Sequence, residues 1–401
     1  MDQRFYLKRC TSRTSAETVA NIEELLTEIL LRVPARPLVR FKCVSKHWLS
    51  FISGPEFCHR HSLRNPKPSV SAVFSSSSMY FGFVPLDLNH DRNGNQYLFD
   101  SAGSPNFNPL NFLQPLHSTM IIQSCNGLVL CTPTNTSKDK FYLLNPTTNQ
   151  FCTLSLPAAA DSAQVFGYAL AFDPSKSPHY KVVFLETINI PEGRDYSPYY
   201  HIHIYSSENR SWRHLNSNFV RLPNVSYKQG VYCNGAVHWV GLDDEVAYYH
   251  IDDECLRRVL PPPPDKEPSR KSRNFQASHC GSHLQLIDIY YVTSLIRFEV
   301  LEMGSDYSGW FLKYHLDFDP TLAPLPCLKS HRFTVLFLAP EEVEGEESLS
   351  MFLHYAGKVI SYNFKSAIFK SFELPSRPGV DDSRLRVYYC GHQYMETLAC
   401  V

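Results

Sequence analysis

His201 and His203 stand two residues apart, a spacing that sets both imidazoles on one face of a β-strand, as a metal pair requires. Ile202 and Ile204 alternate with them, so the polar face of a half-buried strand accounts for the same spacing, and no third ligand follows at a metal-binding interval. Cys125 and Cys131 offer thiols, but neither has an adjacent base or basic cluster to make it a nucleophile. The sequence holds no H-E-x-x-H, G-x-S-x-G or G-x-x-x-x-G-K, and its twelve cysteines include no C-x-x-C pair. The acidic run of Glu341, Glu342, Glu344, Glu346 and Glu347 would suit a basic partner, although a solvated loop is its commoner use. Arg270, Lys271 and Arg273 are too few for a nucleic-acid surface, and Trp212, Trp239 and Trp310 recur at strand positions where core packing is the default. The expectation is a chain with no catalytic site, no metal and no cofactor.

The bulk properties point to binding instead. Hydrophobic residues make up 43% and charged residues 19% of 401, a folded composition long enough for two or three units. The formal net charge of -1 gives no global field to draw in nucleic acid or an anionic membrane. No segment approaches the roughly 20 apolar residues that span a bilayer. Met1 to Ala20 is polar and partly basic, without an apolar run of signal-peptide length, and reduced thiols in the cytoplasm and/or nucleus are expected.

The elements divide sharply along the chain. Between Asn21 and Val33, Ile22, Leu25, Leu26, Ile29, Leu30 and Val33 recur at the 3–4 spacing of one helical face, with Leu31 off the stripe. Asn21 is placed to cap this helix, with Glu24 as the return acceptor of a capping box. Pro34 stops it, Pro37 suits the start of the next, and Leu38, Val39, Phe41, Val44, Trp48, Leu49, Phe51 and Ile52 follow before Gly54-Pro55 closes the segment. About three short helices in so few residues lie near the lower limit for a domain that folds alone. Such a unit either caps the downstream domain or offers its leucines to a partner.

The run Leu25-Leu26-Thr27-Glu28-Ile29-Leu30-Leu31-Arg32-Val33-Pro34, followed by Leu38-Val39-Arg40-Phe41-Lys42-Cys43-Val44-Ser45-Lys46-His47-Trp48, resembles a plant F-box over residues 20–63. The resemblance implies a surface that docks a Skp-type adaptor and, through it, a cullin scaffold. The residues it assigns to that surface or its support are Ile22, Leu25, Leu26, Ile29, Leu30, Val33, Pro34, Leu38, Val39, Phe41, Val44 and Trp48. It departs at the start, where the family carries Leu-Pro and this chain has Ala20-Asn21-Ile22.

Beyond Pro68, short aromatic-rich strands alternate with polar turns. Phe141–Phe151 and His203–Trp212 are the clearest hairpins, with further copies at Tyr249–Leu256, Tyr362–Phe369 and Phe298–Leu312. A second element, Cys125-Asn126-Gly127-Leu128, Cys233-Asn234-Gly235-Ala236 and Tyr355-Ala356-Gly357-Lys358, marks tight turns entering strands. Together they repeat every 45 to 65 residues or so, near the roughly 50 of kelch-like blades. The fold expected is α+β: a short three-helix module, then a large all-β domain built as a β-propeller, with a β-sandwich as the alternative. Ser75–Ser78, Pro261–Arg273 and Glu341–Glu347 read as exposed loops.

Ser124-Cys125-Asn126-Gly127-Leu128 and Leu144-Asn145-Pro146-Thr147-Thr148 resemble the F-box-associated domain, although paired kelch glycines are missing. The organisation expected is a flexible 1–19, an F-box at 20–63, a β-rich repeat domain at 68–380, and a segment at 381–401 that closes the β domain or is flexible. The resemblance implies a non-catalytic substrate receptor of a ubiquitin ligase, its target protein and substrate-binding residues unknown. The alternatives are an adaptor-binding scaffold without ligase activity, and a propeller-type ligand-binding module with a helical cap.

Overall fold

The computed structural model describes residues 22–65, 70–77, 80–86, 119–133, 140–156, 164–187, 199–220, 230–240, 246–259, 270–277, 283–292, 295–318, 333–343, 345–355, 358–373 and 390–401. The helical module has four helices: α1 (Glu23–Leu30), α2 (Ala35–Phe41), α3 (Lys46–Ser53) and α4 (Pro55–Arg64). The fourth arises where closure was expected. Pro55 opens α4 at a first-turn position, where its missing amide proton removes no intrahelical bond. Ser45 caps α3, its hydroxyl accepting from Trp48 N at 3.1 Å. The capping box does not form: the N-cap of α1 is Ile22, with no side-chain cap, and Asn21 lies outside the described residues.

The strands form six antiparallel sheets among the described residues. Five are four-stranded meanders: β3–β6 (Thr119–Cys125, Leu128–Pro133, Lys140–Asn145, Gln150–Ser155), β7–β10 (Gln164–Ala171, Lys181–Thr187, Tyr199–Ser206, Ser211–Val220) and β11–β14 (Val231–Cys233, Ala236–Val240, Val246–His250, Cys255–Val259) are the first three. The others are β15–β18 (Arg270–Ala277, Leu284–Val292, Leu295–Met303, Trp310–Phe318) and β19–β22 (Phe333–Val343, Glu346–Tyr355, Lys358–Asn363, Phe369–Glu373). The sixth pairs β1 (Val70–Ser77) with both β2 (Tyr80–Pro85) and the late strand β23 (Cys390–Met395).

The first strands of the five meanders and β23 neighbour one another in a ring, so the sheets are six blades of a propeller rather than two faces of a sandwich. Side-chain amides sew these inner strands together. Gln123 Nε2 donates to Gly230 O and its Oε1 accepts from Leu170 N, both at 2.7 Å. Asn274 donates to Val335 O at 2.9 Å, and Gln393 to Leu338 O at 3.3 Å. The central strands are buried on both faces because each blade packs between two others; Val182–Leu185 are apolar throughout, and Ala236–Trp239 are buried with His238 as their one polar member.

All five recognised hairpins join the third and fourth strands of a blade. Their turns place Asn149, Arg210, Glu254, Tyr307 and Ala367 in the left-handed region, as hairpin connections with right-handed strand twist demand. Two share a mechanism. Asn145 Oδ1 accepts from Thr147 N and Thr148 N, and Asn363 Oδ1 accepts from Lys365 N and Ser366 N. The Asn-Gly elements at 126–127 and 234–235, with φ of 46° and 87°, then 49° and 82°, join first and second strands. The third supposed copy differs in place: it joins the second strand β20 to the third strand β21, and Ala356-Gly357 itself lies outside the described residues.

Of the three expected loops, the described parts are mostly strand, while 261–269 of the second lie outside the described residues. Ser75–Ser77 belong to β1, with Ser78 outside the described residues, and Arg270–Arg273 open β15. Arg273 and Asp288 form a bidentate ion pair on neighbouring strands, buried where a loop would have been solvated. The acidic run is the β19–β20 hairpin. Glu341 accepts from Lys370 at 2.8 Å, from Asn363 at 3.2 Å and from Ser350. Burial alone would raise its carboxyl; Lys370, Ser350 and Asn363 outweigh that and hold it below the ordinary range.

Candidate functional site

The helical module sorts its apolar residues into two sets. Leu26, Leu30, Leu31, Leu38, Ile52 and Phe57 form its core, with Leu30 1% and Leu38 0% exposed. Ile22, Leu25 and Ile29, spaced i, i+3, i+7, form a second stripe on α1 that faces outward, with Leu25 47% and Ile29 50% exposed. The single stripe read from periodicity is therefore two adjacent ones. Thr27 lies on the inward side, its hydroxyl donating to Glu23 O at 2.7 Å.

Leu31, off the stripe in sequence, is buried because it stays on the helical path one turn beyond inward-facing Thr27, its N–H donating to Thr27 O at 2.9 Å before the turn at 32–34. That turn is tied from below by α4. His61 Nε2 lies 2.8 Å from Val33 O, and Asn65 Nδ2 donates to Leu31 O at 3.1 Å. Burial pushes the His61 imidazole below its ordinary value, which favours the neutral ring in this contact.

Among the residues assigned to the adaptor surface, Ile22, Leu25, Ile29, Pro34 and Val44 are exposed. Val33, Val39, Phe41 and Trp48 are half-buried against the core, with Phe41 and Trp48 edge to face at 5.9 Å. Leu26, Leu30 and Leu38 are buried and can only support such a surface. Leu49 and Leu63 are large, exposed and apolar, and they were not among the assigned residues. Leu49 directly follows Trp48 and was legible as apolar; nothing in the local pattern of α4 singled out Leu63.

The module also packs on the propeller, through the residues after β23. Leu398 enters the helical core, and Arg36 pairs with Glu396 at 3.9 Å. Blade β3–β6 holds the same segment: Asn145 Nδ2 donates to Thr397 O at 3.1 Å and to Ala399 O at 2.7 Å. Thr397 N donates to Thr147 Oγ1 at 3.2 Å. Gly127 completes the seat, since a Cβ there would lie 2.4 Å from Thr397 Cγ2 at a φ of +87°. The two turn motifs most evident in the sequence thus hold the segment that joins propeller to helices.

This placement separates the ends of the propeller. The turns between first and second and between third and fourth strands lie at the module's end. The ends of the second strands, at Pro133, Thr187, Val240, Val292 and Tyr355, lie at the other; residues 87–118, 188–198, 260–269 and 374–389 lie outside the described residues.

The residues first considered for chemistry are structural. His203 is buried with Nε2 2.7 Å from Glu186 Oε2, while its ring and that of His201 pack against His214. Ile202 and Ile204 point into the core. Among the described residues no group of three or more His, Cys, Asp or Glu side chains is arranged to hold a metal. Desolvation pushes the buried Cys131 thiol far up, and Cys125 packs with Sγ 3.3 Å from Phe172 O. Trp239 is core; Trp212 and Trp310 are half-buried at its margins.

Residues 23–60 match the F-box domain family, and residues 93–279 match the F-box associated beta propeller domain family. The propeller extends beyond the second match on both sides, from Val70 to Met395. F-box protein At5g07610 of Arabidopsis thaliana is 32% identical over 389 residues, covering 90% of this chain and 87% of that protein. Putative F-box/kelch-repeat protein At3g17570 of the same plant is 28% identical over 227 residues, covering 55% of this chain and 53% of that protein. A solved oligogalacturonate lyase in complex with manganese covers 62% of this chain and 63% of its own at 11% identity, with a TM-score of 0.37.

Proposed function

The chain belongs to the F-box proteins that carry an F-box-associated β-propeller, and from that premise we propose that it is the substrate-recognition subunit of an SCF-type ubiquitin ligase. In this reading α1–α4 dock a Skp-type adaptor, a cullin scaffold follows through the adaptor, and the propeller captures a target protein. The chain itself performs no bond chemistry. It raises the effective concentration of a target lysine near a charged ubiquitin carrier, and proximity supplies the rate. A cytoplasmic or nuclear setting goes with this role.

The observation that carries the reading is the outward stripe Ile22, Leu25 and Ile29, with Val44 and Leu49. A module that has completed its core with Leu26, Leu30, Leu31 and Leu38, and still exposes a helical row of aliphatic side chains, presents the geometry of helix-face recognition. Ile22 supplies an apolar group at the position where the family's opening Leu-Pro is missing. The two ends of the propeller suit the division of labour, with the adaptor side at the module's end and the opposite strand ends turned away from it.

The test is a pull-down against a plant Skp-type adaptor, comparing the wild-type chain with Leu25→Asp/Ile29→Asp. Loss of capture by a variant that keeps the wild-type far-UV spectrum and melting transition is the expected result. Undiminished capture by that folded variant sinks the assignment. Point substitution is preferable to deletion of the module, which would strip the cover from Leu398. Cullin co-purification with the captured adaptor then separates a ligase receptor from a scaffold.

A further inference from the structure

The junction between helices and propeller contains two thiols, and they come from opposite ends of the chain. Cys58 lies on α4 and Cys400 in the segment after β23, with their sulfurs 4.0 Å apart. Cys58 is buried, and Cys400 is partly open. Both line one small recess with Pro55, His59, Pro174 and Pro178. Cys400 lies in no regular element, so a shift of about 2 Å, enough to reach the S–S length of about 2.0 Å, needs no strand or helix to break.

The two sulfurs are also unlike in acidity. Contact with the Cys58 sulfur, helped by the Lys42 charge, outweighs burial and brings Cys400 down to about 7. The same contact, with burial, drives Cys58 strongly upward. An acidic, partly open sulfur beside a protonated, buried one is the arrangement of an attacking and a resolving cysteine.

We infer that Cys58 and Cys400 form a reversible disulfide that bolts the F-box to the propeller when a hydroperoxide is present. The Cys400 thiolate attacks one peroxide oxygen, the O–O bond breaks, and the other oxygen leaves as water after taking a proton. Cys58 then attacks the resulting sulfenic sulfur, forming the S–S bond and releasing a second water with its own proton. Two thiols lose two electrons in all, and one hydrogen peroxide is reduced to two waters; an alkyl hydroperoxide would leave its alcohol and one water. A dithiol reverses the step by exchange. Because Thr397 and Ala399 are held by Asn145 of blade β3–β6, the bond ties helix α4 covalently to that blade's end of the molecule.

The test uses the full chain, dilute enough to exclude intermolecular pairing, treated with hydrogen peroxide and then alkylated and digested with trypsin. The expected result is loss of two of the twelve alkylatable thiols and a cross-linked peptide joining Cys58 to Cys400, abolished by dithiothreitol. Cys390 shares the tryptic peptide of Cys400, so fragment ions must place the bond. Cys400→Ser, a change outside the helices and strands, is expected to retain all its remaining thiols and to lose the rise in melting temperature that oxidation gives the wild type. A sulfinic Cys400 with Cys58 still free, or a cross-link that survives in Cys400→Ser, overturns the inference.

Discussion

The helical module and the propeller use their apolar residues differently. In the propeller, central strands such as β8 and β12 are flanked by blades on both faces, and their apolar side chains are consumed. In the module, one helix of eight residues carries two apolar stripes, and only one of them is consumed. Leu25 and Leu26 are chain neighbours of the same type, yet one is 47% exposed and the other 3%. The propeller closes its central strands and exposes single apolar residues only at outer strands and turns, such as Phe151, Phe311, Leu312 and Ile368, whereas the module leaves a helical row of them on one face.

The largest expected effect comes from abolishing the distinction on the buried side. Leu30→Asp places an unpaired carboxylate in the module's core and should cost about 4 kcal/mol or more. Amide exchange across residues 23–64 should collapse while the propeller amides stay protected, and protection lost equally in both would mean that the two regions form one cooperative unit. Next is the joint between them. Asn145→Ala removes a turn acceptor and both donors to the Thr397 and Ala399 carbonyls, leaving buried groups unpaired at a cost of about 2 to 3 kcal/mol, read by urea denaturation. Asn363→Ala, the same turn position in the blade where Nδ2 donates to Ser350 and Glu341 instead of the segment after β23, should destabilise the propeller but leave proteolysis of the α4–β1 region unchanged.

A smaller effect is pH-dependent. The folded Glu341 carboxyl lies below its ordinary value of 4.5, so its contribution is present above that pH and is lost as pH falls through the lowered value. Lys370→Met removes the 2.8 Å ion pair, and the acid-side loss of stability below pH 4.5 should shrink relative to wild type. An unchanged acid limb would show that the pair is not formed in solution. The smallest effect belongs to the surplus stripe: Leu25→Ser/Ile29→Ser should leave stability within about 1 kcal/mol, since exposed side chains have little burial to lose. A large drop in melting temperature would mean that this stripe is core after all.

Much of this was legible in the residues. The α1 periodicity, the stop at Pro34 and the third-to-fourth strand hairpins all depend on contacts only a few residues long. Asn145 and Asn363 show where that legibility ends. The same side chain makes the same turn in both blades, because its Oδ1 reaches amides two and three residues on. Its Nδ2 donates to the segment after β23 in one blade and to Ser350 and Glu341 in the other. No local pattern distinguishes them, since the partners lie up to 254 residues away or on neighbouring strands. The acidic run divides for the same reason: Glu346 and Glu347 are exposed as charge density suggested, while Glu341 finds its partner in Lys370 on β22.

What the sequence determined by itself was that the chain begins as helices and continues as strands, where the third-to-fourth strand hairpins turn, and that residues 20–63 resemble an F-box. Those outcomes follow from local sterics, short-range hydrogen bonds and residue order. What only the tertiary structure decided was which apolar face of α1 is spent, that β23 closes the ring on β1, and that residues 396–401 join helices to propeller. Burial is a property of everything packed around a residue, and these partners are brought together only when the last blade closes on the first.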